Sequence, residues 1–61
     1  MKTRHAIKAM SNYPIPAATI DNIIDEAGLD AEAEITKKMR ASNEFKKAKA
    51  LTYAFLAEAP N

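Results

Sequence analysis

The feature that most constrains this chain is a run of regularly spaced apolar residues that ends at its only glycine. These residues recur at intervals of three and four, which places them on one face of a helix. They are Ile20, Ile23, Ile24 and Ala27. Gly28 follows at once, and glycine most readily adopts the left-handed conformation that ends many helices. The pattern therefore predicts a helix over residues 16–27.

A shorter helix is predicted before it, over residues 3–12. Thr3 is a residue type that can cap a helix N-terminus. The apolar face of this helix is formed by Ala6, Ile7 and Met10. The following segment, residues 13–16, reads Tyr-Pro-Ile-Pro. Because proline lacks an amide hydrogen and disfavours helical geometry in the residue before it, the first helix must stop here.

Two more helices are predicted after the glycine. Asp30 can cap a third helix over residues 31–41, with Ile35 and Met39 turned inward. Ser42 or Asn43 can end that helix and cap a fourth, over residues 43–59. The inner stripe of the fourth helix is predicted to hold Phe45, Ala48, Thr52, Phe55, Leu56 and Ala59, with Leu51 at its edge. Four short helices with brief connections predict an all-α fold, either a small bundle or an orthogonal array, in a single domain of residues 1–61.

The residue types that carry catalysis or bind metals are scarce. There is no cysteine, so no disulfide and no thiolate zinc site can form. His5 is the only histidine, and Ser11 and Ser42 lie near helix ends, where capping explains them. No glycine-rich loop for phosphate is present. We therefore predict no enzyme, no catalytic residue, no cofactor, no metal and no small-molecule substrate.

The hydrophobic segments are short. None approaches 18 residues, and the N-terminus lacks the apolar core of a signal peptide. The sequence therefore predicts a soluble cytoplasmic protein with no membrane partner.

Charge is unevenly distributed although the net charge is only +1. The six acids between Asp21 and Glu34 are followed by six bases and one acid between Lys37 and Lys49. The helix dipole accounts for about half of this pattern, since acids favour the start and bases the end of the third predicted helix. It does not account for Lys46, Lys47 and Lys49. These lysines form either a solvated face or a contact with an acidic surface, protein or nucleic acid.

A DNA-binding or regulatory role for the basic stretch 37–49 is the alternative function. The predicted hairpin around Gly28 invites comparison with helix-turn-helix proteins. The comparison fails because the helix that would enter the major groove begins with acids, which phosphates repel. The sequence therefore argues against nucleic acid as the main partner.

The outer face of the fourth helix is the candidate protein interface. It carries a strip of small residues beside a tyrosine, which would allow another helix to approach closely. Alanine is also the best helix former, so a plain solvent face explains the strip as well. The candidate residues are Lys46, Lys47, Lys49, Ala50, Tyr53, Ala54 and Ala57.

Several segments together resemble a family of small phage and prophage proteins encoded in structural gene clusters of gut anaerobes. The matching segments are AIKAMSNYPIP at 6–16, TI at 19–20, AGLD at 27–30 and AKALTYAFLAEAPN at 48–61. NYPIP and APN are the most specific. The family is more loosely similar to head-tail connector, or adaptor, proteins, whose helical bundles assemble as rings around the portal.

The resemblance implies a structural or virion-assembly module at the head-tail junction, acting through protein-protein contacts. Its partners would be other phage structural proteins or further copies of itself, in the host cytoplasm and in the virion. The family supplies no catalytic motif. Its members continue beyond APN, so this chain is expected to be either the N-terminal part of a longer protein or a minimal variant, which puts ring assembly in question.

Overall fold

The computed structural model of the chain describes residues 1–58, which form four helices and no strand within that range. We label them α1 (Thr3–Lys8), α2 (Ala17–Ala27), α3 (Lys37–Arg40) and α4 (Asn43–Glu58). The two longest, α2 and α4, pack against each other; α1 packs on both, and the single turn of α3 packs on α4. The predicted all-α fold is confirmed.

The core lies where α1, α2 and α4 meet. The apolar spacing of α2 buries its predicted face, and α4 contributes the aromatic ring of Phe45. Ile15, between the two prolines that precede α2, is buried as well. The buried apolar residues are Ala6, Ile7, Ile15, Ile20, Ile23, Ile24, Ala27, Phe45 and Ala48. Leu51, Phe55 and Leu56 pack against this cluster from α4 and are partly exposed; the predicted Ala59 lies outside the described residues.

Gly28 ends α2 as predicted. Its φ of 82° and ψ of 25° are left-handed. The Gly28 amide donates to the Asp25 carbonyl at 3.1 Å, and the Leu29 amide donates to the Ile24 carbonyl at 3.0 Å. This pair of bonds satisfies two carbonyl oxygens that the end of a helix leaves free. Leu29 then packs on the core, so the chain turns sharply away from α2.

Ser42 caps α4, one of the two residues predicted for that role. Its Oγ accepts a hydrogen bond from the Phe45 amide at 3.1 Å, while Asn43 is already the first helical residue. Thr52, on the buried face of α4, donates its hydroxyl to the Ala48 carbonyl at 2.8 Å. Because that hydroxyl is paired within the helix, a polar residue is accommodated in the core.

The third predicted helix is the largest departure. The sequence predicts a helix over residues 31–41, but only Lys37–Arg40 are helical. Asp30 does not cap it: the Asp30 carboxylate accepts the Glu32 amide at 3.0 Å and closes a local turn. Thr36 is the cap, and its hydroxyl accepts the Met39 amide at 3.0 Å. The acids of residues 30–34 therefore lie in a loop and not at a helix start.

The first helix is also shorter than predicted and is capped differently. It ends at Lys8, not near residue 12, and Ser11 closes a turn by accepting the Tyr13 amide at 2.9 Å. Thr3 is not the cap. It is a buried helical residue whose hydroxyl donates to the Ala33 carbonyl at 2.9 Å.

The loop after α2 supplies the missing cap of α1. The Thr3 amide donates to the Ala33 carbonyl at 2.8 Å, and the Arg4 amide donates to the Ala31 carbonyl at 3.1 Å. The first amides of a helix have no partner within it, so these carbonyls satisfy two of them. An antiparallel bridge between Lys2 and Glu34 continues the contact. Residues 31–35 are held non-helical because the N-terminal segment engages the carbonyls of Ala31 and Ala33 and accepts the Ile35 amide at the Met1 carbonyl.

Candidate protein interface

The seven predicted interface residues lie together on the exposed side of α4. Lys46, Lys47, Lys49, Ala50, Tyr53, Ala54 and Ala57 are all exposed. We call this set the α4 outer face. The buried residues of the same helix, Phe45, Ala48 and Thr52, lie on its opposite side. Since that inner side packs against α2, the outer face points away from the rest of the molecule.

Tyr53 is the prominent apolar group of this face. It is 53% exposed, and Tyr13 and Met1 are the other large apolar side chains that lie exposed in residues 1–58. Its neighbours at a spacing of one to four residues include Ala50, Ala54 and Ala57, which are small and exposed. Tyrosine combines a large apolar ring with a polar hydroxyl, which is why it is frequent at the centres of protein interfaces.

Lysines form the N-terminal part of the α4 outer face. Lys46 and Lys47 follow directly after the first helical turn, near the positive end of the helix dipole, where cations are mildly unfavourable. In the described part of the chain, neither they nor Lys49 form an ion pair. No ion pair within these residues therefore offsets the unfavourable position of Lys46 and Lys47.

The molecule also has a groove that was not predicted. It has a volume of about 340 Å³ and lies between the start of α1, one flank of α2 and the loop after Gly28. Ile24, Leu29 and Ala31 provide apolar atoms, and the charged groups are Arg4, Asp21, Asp25 and Asp30. We call this the acidic groove, because three carboxylates face one guanidinium.

The acidic groove could not be predicted from the sequence because its residues come from three separate segments, namely α1, α2 and the loop after Gly28. One signal was available in the sequence. Asp25 lies in the last turn of α2, at the negative end of the helix dipole, and that turn contains no base. An acid at such a position is mildly unfavourable for the helix.

Ion pairs hold the N-terminal segment to α2 and to the loop beside the groove. Arg4 lies between Asp21 at 3.3 Å and Glu32 at 3.1 Å, and Lys2 contacts Glu32 at 2.7 Å. The Met1 amine contacts Glu34 at 2.8 Å. All these groups are exposed, so each pair contributes little alone.

These contacts change the pKa of three groups. The hydrogen bond and charge of Lys2 lower the pKa of Glu32, and in return Glu32 raises the pKa of Lys2. The hydrogen bond and charge of the Met1 amine lower the pKa of Glu34. We call the four ion pairs together the N-terminal clamp. The opposite charges favour the ionised form of each partner, so the clamp depends on pH.

The described residues present little else of chemical note. Within residues 1–58, no three His, Cys, Asp or Glu side chains are grouped so that they could hold a metal ion. None of the helices in that range is both long enough and apolar enough to cross a membrane. His5 lies exposed on α1.

No protein-family model, curated protein or solved structure matches this chain.

Proposed function

We propose that this chain is a non-enzymatic helical module that acts through protein-protein contacts made by the α4 outer face. The observation that carries the proposal is Tyr53, half exposed among alanines on the longest helix of the fold. The resemblance of NYPIP and APN to phage proteins supports a setting in phage or prophage virion assembly, at the head-tail junction. In that setting the protein acts in the host cytoplasm and in the virion.

The size of the chain favours such a role. A domain of about 60 residues removes only about 60% of its unfolded surface from water, so its stability is small. Covering the α4 outer face would bury a tyrosine ring and several alanine methyl groups. Association with a partner would thus supply burial that the isolated chain lacks.

The positive charge of the α4 outer face favours a partner with an acidic surface. The three lysines of the face form no ion pair within the described residues. They lie at its N-terminal end, before the tyrosine and the alanines. An acidic protein surface would pair with these ammonium groups and pack on the tyrosine. Charges at the rim of an interface mainly set the rate and specificity of association.

Photo-crosslinking from within the proposed interface tests this function. A benzophenone amino acid replaces Tyr53, and the protein is irradiated in cells that produce the complete set of phage particle proteins. We expect a covalent adduct at position 53, identified by mass spectrometry as a virion protein or a second copy of the chain. The contact radius of the probe is short, so only a protein seated on α4 reacts.

Tyr13 provides the matched control, since it is also an exposed tyrosine but lies between α1 and α2. The same probe at position 13 should give no such adduct. Equal labelling at both positions, or no adduct at 53, would contradict an interface on α4. An adduct with a protein unrelated to virions would retain the interface and remove the phage setting.

The alternative candidate is a DNA-binding or regulatory protein that uses the basic stretch 37–49. The observation in its favour is that all six bases of this stretch are exposed, on α3 and α4. The helix-turn-helix comparison is weakened further, because a loop of residues 29–36 separates α2 from the one-turn α3. Duplex binding whose affinity falls steeply with salt would favour this candidate.

A further inference from the structure

The exposed side of α4 carries charges of opposite sign at its two ends. The three lysines of the α4 outer face lie in the first half of the helix, and Glu58 lies in its last described turn. No charged residue lies between Lys49 and Glu58. Glu58 is exposed, and like the lysines it forms no ion pair within residues 1–58. The middle of the face is therefore neutral, and both of its ends carry charges without an ion-pair partner there.

Lys47 and Glu58 lie on the same flank of α4. Glu58 follows Lys47 by 11 residues, which is close to three full turns of helix, so the two side chains project in nearly the same direction. The rise over that stretch is roughly 16 Å, too long for an ion pair within one molecule. These two charges can therefore meet only across a contact between molecules.

A second α4 in antiparallel orientation complements this arrangement. A two-fold axis at the midpoint between Lys47 and Glu58 sets the Lys47 of each copy opposite the Glu58 of the other, so the same ion pair forms twice. Lys46 and Lys49 then lie along the C-terminal half of the partner helix, where its dipole favours cations. A parallel copy would instead place lysines beside lysines. Charge complementarity therefore selects the antiparallel orientation.

The residues near the midpoint suit close contact between two helices. The midpoint lies between positions 52 and 53, so the Tyr53 rings of the two copies, each 53% exposed, come close to each other across the axis. Ala50 and Ala54 lie on either side of the midpoint, and their small side chains allow the two helix axes to approach. Paired aromatic rings contribute beyond the area that they bury.

We propose that two copies of this chain form a two-fold symmetric dimer through antiparallel contact of their α4 outer faces. This inference rests on the proposed function and names a second copy as the partner. Both copies use the same surface, so the contact closes at two copies and does not generate a ring. The 16 residues of α4 span about 24 Å, and a contact of one helix with one helix is smaller than the roughly 800 Å² per partner of a standard interface. The dimer therefore dissociates on dilution.

Sedimentation of the purified full chain tests the stoichiometry. We expect the average mass to rise with concentration and to level off at twice the monomer mass. A monomer at every concentration up to millimolar would overturn the inference. A mass that continues to rise beyond two copies would overturn it as well, since a two-fold contact leaves no surface for a third.

Two single charge reversals locate the contact. Lys47→Glu and Glu58→Lys each place like charges opposite each other at both ends of the dimer, so each should weaken self-association by at least about tenfold. Both changes suit the dipole of α4, because they put an acid near its start and a base near its end. Lost association therefore does not reflect a destabilised helix, and circular dichroism verifies that each variant is folded.

Mixing the two variants tests the two-fold geometry. In the mixed dimer one end holds the native ion pair and the other holds the same pair with its charges exchanged, so association should return. Lys37→Glu, the same charge change on α3, should leave dimerisation unaltered. Failure of the mixture to associate, or an equal loss with Lys37→Glu, would overturn the proposed contact.

Single cysteines determine the orientation of the two helices. The chain has no cysteine of its own, so an introduced thiol can form a disulfide only with the same position of a second copy. Ala54 lies close to the midpoint, and Ala57 lies almost one turn further from it. A disulfide needs Cβ atoms about 4 Å apart, so oxidation by air and copper should link Ala54→Cys much faster than Ala57→Cys. Equal rates would indicate parallel helices and overturn the antiparallel dimer.

The outcomes separate this inference from the proposed function. A chain that remains monomeric yet crosslinks from position 53 to another virion protein would end the dimer and leave the α4 interface in place. A chain that dimerises with no effect of Lys47→Glu or Glu58→Lys, and with no adduct from position 53, would contradict both, since association would then use a different surface.

Discussion

Gly28 is the residue whose conformation most directly sets the path of the chain. Its φ of 82° is left-handed, and a methyl group there would meet only the Glu44 Cγ at 3.9 Å. Space is therefore available, and any cost of a side chain arises from the backbone. We expect Gly28→Ala to lower the free energy of unfolding by about 1 kcal/mol or more, measured by urea denaturation.

Asparagine at the same position separates conformation from packing. Asn is larger than Ala but adopts left-handed backbone angles more readily. Gly28→Asn should therefore be less destabilising than Gly28→Ala. If the order of the two variants is reversed, side-chain contacts and not backbone strain control this turn.

At the scale of elements, the sequence predicted best where one face of a helix is buried. The spacing of Ile20, Ile23 and Ile24 is enough to place α2, and Gly28 marks its end within one residue. The same period gives the inner and outer sides of α4. These features depend on residues three or four positions apart, so a short stretch of sequence is enough to predict them.

The loop at residues 29–36 shows why the remainder could not be predicted. Ile35 and Met39 have a helical spacing, and Asp30 is a good capping residue type. Tertiary hydrogen bonds decide otherwise, because the carbonyls of Ala31 and Ala33 cap a helix some 30 residues earlier in the chain. The acidic groove is lined in part by this same loop. Because the sequence predicts a helix over residues 31–41 instead of the loop, it does not predict the groove either.

The N-terminal clamp makes this loop sensitive to acid. The pKa values of Glu32 and Glu34 are lowered in the folded protein, so their ionisation stabilises it above the ordinary glutamate pKa of 4.5. That contribution is lost as pH falls through the lowered values. We expect Glu32→Gln/Glu34→Gln to lower the thermal midpoint at neutral pH, by a margin that narrows as the buffer becomes more acidic.

Alkaline pH acts on the other side of the clamp. The pKa of Lys2 is raised, so its contribution is complete below the ordinary lysine value of 10.5 and is lost as pH rises through the raised value. The thermal midpoint of a Lys2→Met variant should therefore differ from that of the wild type most at neutral pH.

The acid prediction has its own contrary outcome. If the thermal midpoint of Glu32→Gln/Glu34→Gln stays below that of the wild type by a constant margin down to strongly acidic pH, the acid effect does not arise from the ion pairs.

At the scale of the whole molecule, the main property is the separation of acidic from basic residues. The sequence shows this separation along the chain, and the fold shows where each group lies on the surface. The six acids of residues 21–34 precede the six bases of residues 37–49, but only the fold places three of those acids around a groove and three of those bases on the exposed side of α4.

If the partner of the α4 outer face is a second copy of the chain, association links stability to concentration. A partner that binds only the folded state stabilises it, by about 2.7 kcal/mol at a hundredfold excess over Kd, and 1 kcal/mol shifts Tm by about 4–8 °C in a domain of this size. We therefore expect the Tm of the wild type to rise by several degrees between dilute and concentrated samples, measured by circular dichroism in cells of different path length. The Tm of Lys46→Glu/Lys49→Glu should stay constant over the same range. A wild-type Tm that does not change with concentration would mean that folding and association are not coupled, and that the chain is stable without a second copy.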